Sequence, residues 1–148
     1  MNTHPEVQNF YSMMLPIMLL ALMGWGEARG EPEEGKYAVA WVARNRVYAR
    51  RNYGKTWEKV LLRKNAFSCF NDSDVNREKL ENLVFTIGSW PSMKVHFVVA
   101  FNVYFGMGVD PTGGATHYFV KGLNPSWSRK MIKTVEIGNH VFYKYKDE

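Results

Sequence analysis

The stretch "MMLPIMLLALMGWGEARGEPEEG", residues 13–35, decides how the rest of the chain must fold. Its first half is apolar on every side, and a helix of that kind in a globular protein belongs at the centre of the core. The run from 13 to 25 is shorter than the about 20 residues that a membrane span takes. It therefore reads as part of a buried helix from about 7 to 27, with Pro16 producing a kink or a late start and Gly24 and Gly26 marking a fraying end. Glu27 follows directly on this run. It is a partly exposed helix-end residue, or a partner of Arg29 or Arg46, or a carboxyl group kept dry for its chemistry, since desolvation favours the protonated form that a general acid uses.

Outward from this helix, Pro32 suits a first helical position, and Glu33 and Glu34 suit a first turn, where the macrodipole favours anions. Val39, Val42, Ala43 and Val47 make the apolar stripe of a second helix running to about residue 51, which "NYGKTW" (52–57) ends. A third helix is expected over about 77–88. A fourth spans about 92–106, entered by Pro91 with Ser92 as N-cap. The loop "GMGVDPTGGA" (106–115) lacks the Lys-Ser/Thr ending of a phosphate-cradling P-loop. "THYFV" (116–120), "IKTVEIG" (132–138) and "HVFYKYK" (140–146) have strand composition, and the last two pair as a hairpin across Gly138 and Asn139. The expected fold class is α+β, with helices first and a small antiparallel sheet last.

With 148 residues, 46% hydrophobic and 22% charged, the chain suits one domain, residues 1–148, with a single core. The one cysteine, Cys69, excludes an internal disulfide and a multi-cysteine zinc site, and reads as a small buried hydrophobe between Phe67 and Phe70. A net charge of +5 and a pI near 9.3 attract polyanions without choosing among nucleic acid, anionic membrane and acidic wall polymer. The basic run "RNRVYARRNYGK" (44–55) reads as a solvated helix face before a phosphate strip. "MNTHPEVQNFYS" carries no basic residue and "GWGEARG" offers no small-residue cleavage site, so no signal peptide is expected. His4, His96, His117 and His140 show no metal-ligand spacing and no HExxH occurs, so structural roles are expected for them, with no metal and no cofactor. Carboxylates remain as chemistry: Glu27 first, with Glu31 and Glu34 close behind it in sequence.

"GEARGEP" (26–32), "EG" (34–35), "NRV" (45–47), "FSCFN" (67–71), "DVNR" (74–77), "DPTGGATHYF" (110–119), "PSW" (125–127) and "IGNHVFYK" (137–144) occur in that order. In this series the chain resembles the cell-wall hydrolase family typified by the spore-cortex-lytic enzyme SleB, over about residues 20–144. Phe70 stands where relatives often have tryptophan and Val75 where they often have proline. No separate N-terminal wall-binding domain like that of the spore enzymes is expected, and in its compactness the chain resembles a phage endolysin or virion-associated member.

The resemblance implies a helix-rich lysozyme/transglycosylase-like domain that cleaves the β-1,4 bond between N-acetylmuramic acid and N-acetylglucosamine. It implies Glu27 as the catalytic acid/base of a lytic transglycosylase, which forms a 1,6-anhydro product with one carboxyl group. Glu34 matches a family position and is expected either to support the reaction, polarising a substrate hydroxyl or orienting Arg46, or to serve only as a helix-start residue. Ser68, Asn71, Thr116 and Tyr118 suit sugar hydroxyls and N-acetyl groups, and Phe67, Phe119 and Trp127 suit stacking on pyranose rings, with packing as the other use for each. Asn45 and His140 read as structural. A muramidase using Glu34 or Asp110 as a second carboxylate and a non-catalytic glycan or nucleic-acid binder are the rival readings. The expected partner is the glycan strand of peptidoglycan, with no nucleic acid, no stable membrane insertion and a monomeric state. A phage-encoded member would stay in the host cytoplasm until a hole-forming partner released it to the wall.

Overall fold

The structure, a computed structural model, describes residues 5–85 and 90–148. Five helices, α1 (Pro5–Ala28), α2 (Glu33–Tyr48), α3 (Trp57–Leu61), α4 (Val75–Phe85) and α5 (Trp90–Tyr104), precede three strands, β1 (His117–Val120), β2 (Ile132–Ile137) and β3 (His140–Lys144). Single 3₁₀ turns at Ser68–Phe70 and Ser126–Lys130 complete the described elements. The α+β class with helices first is therefore observed.

α1 is the axis on which the other helices pack, touching α2, α3, α4 and α5. Leu20, Ala21 and Met23 are buried with Val39 and Val42 of α2, Leu61 of α3, Val103 of α5 and Phe142 of β3. Burying a Leu, Val or Phe side chain contributes about 1.5–3 kcal/mol, so this cluster carries the domain. The helix runs through Pro16 and past both glycines to Ala28, so Gly24 and Gly26 are not a frayed end. At Gly26 the reason is close approach: a Cβ there would lie 2.5 Å from the Cβ of Cys69. The helix is also not buried all round, because Met14, Leu15 and Met18 remain exposed.

α2 stops at Tyr48, short of the expected end, and Ala49 is extended. Lys55 Nζ collects the carbonyls of Ala49, Arg50 and Arg51, which gives those groups a partner outside a helix. α3 is unforeseen by the sequence pattern; Thr56 caps it by accepting from Lys59 N at 3.2 Å. α5 begins at Trp90, so Ser92 lies within the first turn and is not its N-cap. Residues 86–88 of the expected third helix, and His4, lie outside the described residues.

The sheet has the order β1-β3-β2 and is antiparallel throughout. The expected hairpin across Gly138 and Asn139 closes with Ile137 opposite His140. Gly138 takes φ +57°, which glycine adopts without strain. The sheet turns Phe142 inward, and β1 and β2 both touch α2.

Candidate active site

Glu27 sits in the last turn of α1, half-buried, and the Ser68–Phe70 turn and β1 converge on its carboxylate. Oε1 accepts from Ser68 Oγ at 3.0 Å and from the Cys69 backbone N–H at 2.8 Å. Oε2 accepts from the Tyr118 hydroxyl of β1 at 2.8 Å. The absent side chain of Gly26 lets the Cys69 segment come this close to α1. Cys69 is fully buried, and burial followed by the Glu27 charge pushes its thiol up, so it packs as a small hydrophobe. Burial and the same charge push the Tyr118 hydroxyl well above its ordinary value, so it remains a donor at neutral pH.

Neither expected arginine pairs with Glu27. Arg29 lies over the Trp25 ring at 4.3 Å and donates to Asn76 Oδ1 at 2.8 Å. Arg46, 9% exposed, donates from Nε to Thr116 O at 2.6 Å and from Nη1 to Ala66 O at 3.2 Å. Its guanidinium covers the Phe67 ring at 4.9 Å.

Behind Tyr118 stands a second carboxylate. Glu31, 7% exposed, accepts from Asn139 N at 3.0 Å, and its Oε1 lies 3.2 Å from His140 Nδ1, outside hydrogen-bonding alignment. The His140 ring meets Tyr118 edge-on at 5.0 Å. Burial lowers the His140 pKa against the opposing pull of Glu31 and Glu27. A Cβ on Gly138 would fall 2.0 Å from Glu31 Oε2, so this turn is built around the carboxylate. Glu31 thus fastens the β2–β3 hairpin to the α1–α2 corner and steadies the sheet that carries Tyr118.

Of the residues the sequence singled out, Ser68 and Tyr118 meet at Glu27. Trp127 is 38% exposed, beside the His117 ring at 5.3 Å. Several others have partners within the protein. Phe67 is 2% exposed beneath Arg46, so no ring can reach its face. Phe119 is buried and stacked on Tyr143 at 5.2 Å. Thr116 is buried and donates to Glu148 Oε2 at 2.7 Å. Asn71 Oδ1 accepts from Asn65 N at 3.1 Å and shapes the loop before it. Glu34 is exposed in the first turn of α2, and Arg46 is oriented by two carbonyls, not by Glu34. Asp110 is taken up by its own loop: Thr112 N and Oγ1 donate to Oδ1, and Asn45 Nδ2 and Gly114 N to Oδ2. Asn45 also donates to Ala115 O at 2.9 Å, joining α2 to that loop as expected. Among the described residues no group of three or more His, Cys, Asp or Glu is placed to hold a metal.

A half-buried carboxylate held by donors from the Ser68–Phe70 turn and from β1, at the end of a core helix, has a geometry suited to proton transfer. The sequence profile of the family described as Cell Wall Hydrolase matches residues 30–143. The chain belongs to this family. The cell-wall hydrolase profile opens at Gly30, just after Glu27, so the place of that carboxylate rests on its geometry. Among relatives, the spore cortex-lytic enzyme of Bacillus cereus is 31% identical over 150 residues, covering 97% of this chain and 49% of that protein. The spore cortex-lytic enzyme of Halalkalibacterium halodurans is 33% identical over 129 residues, covering 85% of this chain and 34% of that protein. The chain thus spans half or less of the length of these relatives. A solved catalytic domain of the germination-specific lytic transglycosylase SleB from Bacillus anthracis superimposes with a TM-score of 0.64 at 29% identity, over 87% of this chain and 93% of that one. The catalytic domain of Bacillus cereus SleB gives 0.63 at 28% identity, over 87% and 89%.

Proposed function

We propose that residues 1–148 act as one catalytic unit that cleaves the MurNAc–GlcNAc β-1,4 bond of peptidoglycan glycan strands as a lytic transglycosylase, with Glu27 as acid and then base. One observation carries this: donors from α1's neighbours, the Ser68–Phe70 turn and β1, converge on a single carboxylate that retains room for one proton. An ionised carboxylate has about four acceptor positions, and the unfilled one is on Oε2 beside Tyr118. A proton held there passes to the leaving oxygen. The carboxylate left behind is steadied by Ser68, the Cys69 N–H and Tyr118, and then takes the proton of the muramoyl 6-hydroxyl as that oxygen closes on C1.

A hydrolytic muramidase needs a second carboxylate to activate water or attack the sugar. Asp110 is committed to its turn and Glu34 is exposed in the first turn of α2, which favours the one-carboxylate course. Within the same reading, the finer role is lysis or penetration of a bacterial host wall by a phage-encoded protein, reached from the cytoplasm through a hole-forming partner. Expression in a bacterial cytoplasm should be harmless alone and lytic with a hole-forming partner; lysis without the partner would overturn this role.

The enzyme reading is tested by mass spectrometry of fragments released from purified sacculi by the wild type and by Glu27→Gln. Anhydro-muramic ends from the wild type alone are expected. Reducing muramic ends would replace the transglycosylase by a muramidase, and no fragments from either would move the chain to the binding-module reading.

A further inference from the structure

A cavity of about 400 Å³ opens beside Tyr118, between the segment 63–66 and β1. Its wall is cationic. Arg46, Arg63 and Lys64 line it, and no Asp or Glu does. Arg46 is the floor, and its two bonds go to neutral carbonyls, so its charge is buried without an ion-pair partner among the described residues. Glu148 is the near carboxylate, but it already accepts from Tyr53, Thr116 and Tyr145. Arg63 and Lys64 are exposed at the rim, Arg63 making one long 3.4 Å bond to Asn52 O. His117 on the same wall has its pKa lowered to about 4, first by burial and then by Arg46, so it adds a neutral ring at neutral pH.

A neutral sugar has no use for three cations around one hollow. A buried guanidinium with two exposed cations at the rim fits a carboxylate. The peptidoglycan strand carries such groups on the stem peptide attached to each muramoyl lactyl ether, next to the bond that Glu27 would cleave. We propose that this cavity is a subsite for the acidic stem peptide of the muramoyl unit at the cleavage point, with Arg63 and Lys64 selecting its carboxylates over Arg46 and Trp127 shaping the floor and side. The inference rests on the proposed activity, deepening it from a glycan-cleaving site to one that prefers peptide-bearing, unamidated strands.

Binding without turnover tests it. Glu27→Gln protein is titrated with soluble uncross-linked glycan–tetrapeptide chains and with the same chains whose carboxylates have been coupled to methylamine. The acidic chains should bind about tenfold more tightly, the range for two rim charges in low salt. Adding Arg63→Gln and Lys64→Gln should erase that difference and leave affinity for the amidated chains unchanged. Equal affinity for both probes, or a difference that survives the double substitution, overturns the subsite. Chains stripped of their stems by an amidase keep a free lactyl carboxylate, and equally tight binding of those overturns the stem assignment. Neither probe binding while the wild type still releases fragments from sacculi overturns the subsite alone. Absence of fragments with the affinity difference intact overturns the proposed reaction and leaves the subsite standing.

Discussion

Glu27 and Asp110 are both carboxylates wrapped in hydrogen bonds, yet they are wrapped differently. Asp110 accepts two donors on each oxygen, three of the four from Thr112 and Gly114 in its own loop. Glu27 accepts three, from residues 41, 42 and 91 positions away, and leaves one position on Oε2 open. A carboxylate filled from its own loop fixes a turn. One held from afar with a position to spare is fixed in place and can still exchange a proton.

The comparison breaks most sharply under isosteric substitution. Glu27→Gln should lower the rate of fragment release by about 100-fold or more, with the thermal midpoint hardly moved, because the amide oxygen can still face Ser68 and the Cys69 N–H. A variant retaining a tenth of the activity would remove Glu27 from the chemistry. Asp110→Asn should do the reverse. Its amide would point a donor at the Gly114 N–H or the Asn45 amide, costing about 2–3 kcal/mol, or roughly 5–10 °C in the midpoint, while the folded fraction keeps its activity. Loss of turnover at unchanged stability would show that the loop carboxylate reaches the reaction after all.

Acid separates the carboxylates from a third kind of buried group. His96 is buried on α5 and burial lowers its pKa to about 4. The unfolded chain then takes up a proton near pH 6.5 that the folded protein refuses until about pH 4, so stability falls as pH drops through that window, by about 2 kcal/mol at pH 5. His117, with its pKa also lowered to about 4, adds a loss of the same sign. Chemical denaturation of wild type and His96→Phe between pH 7 and 5 reads the contribution, and the variant should lose less. Equal slopes would place the acid sensitivity in the carboxylate networks instead.

The contrast also explains what was legible beforehand. The core helix and the Gly138–Asn139 hairpin are written in local pattern, apolar content in one case and turn chemistry between β-rich runs in the other. Glu27 was legible because it follows directly on that apolar run and sits in a motif. What the pattern withholds is direction. Phe119 and Trp127 both read as aromatic residues in motif segments, but β1 turns Phe119 onto Tyr143 while the 3₁₀ turn leaves Trp127 at the surface. Gly26 reads as a helix breaker until Cys69 is seen pressed against it. Glu31 reads as a neighbour of Glu27, although its partners at 139 and 140 lie more than a hundred residues on. The signal for it was present in the paired glycine-rich strings "GEARGEP" and "IGNH", but only the fold brings them together.

The finest division lies between the two oxygens of Glu27. Oε1 has two donors, one of them a backbone N–H that side-chain truncation leaves in place; among the described residues Oε2 has Tyr118. Ser68→Ala should therefore cost less than about threefold in kcat, since the Cys69 N–H remains. Tyr118→Phe should cost about tenfold in kcat with KM unchanged, the loss of one donor that matters most when the carboxylate is charged. Steady-state rates on soluble glycan chains, with both proteins checked for an unchanged thermal midpoint, give the ratio. If Ser68→Ala proved the more damaging, the transferable proton would belong to Oε1, and the leaving oxygen would have to approach from the Ser68 side of the carboxylate, away from the cationic cavity beside Tyr118.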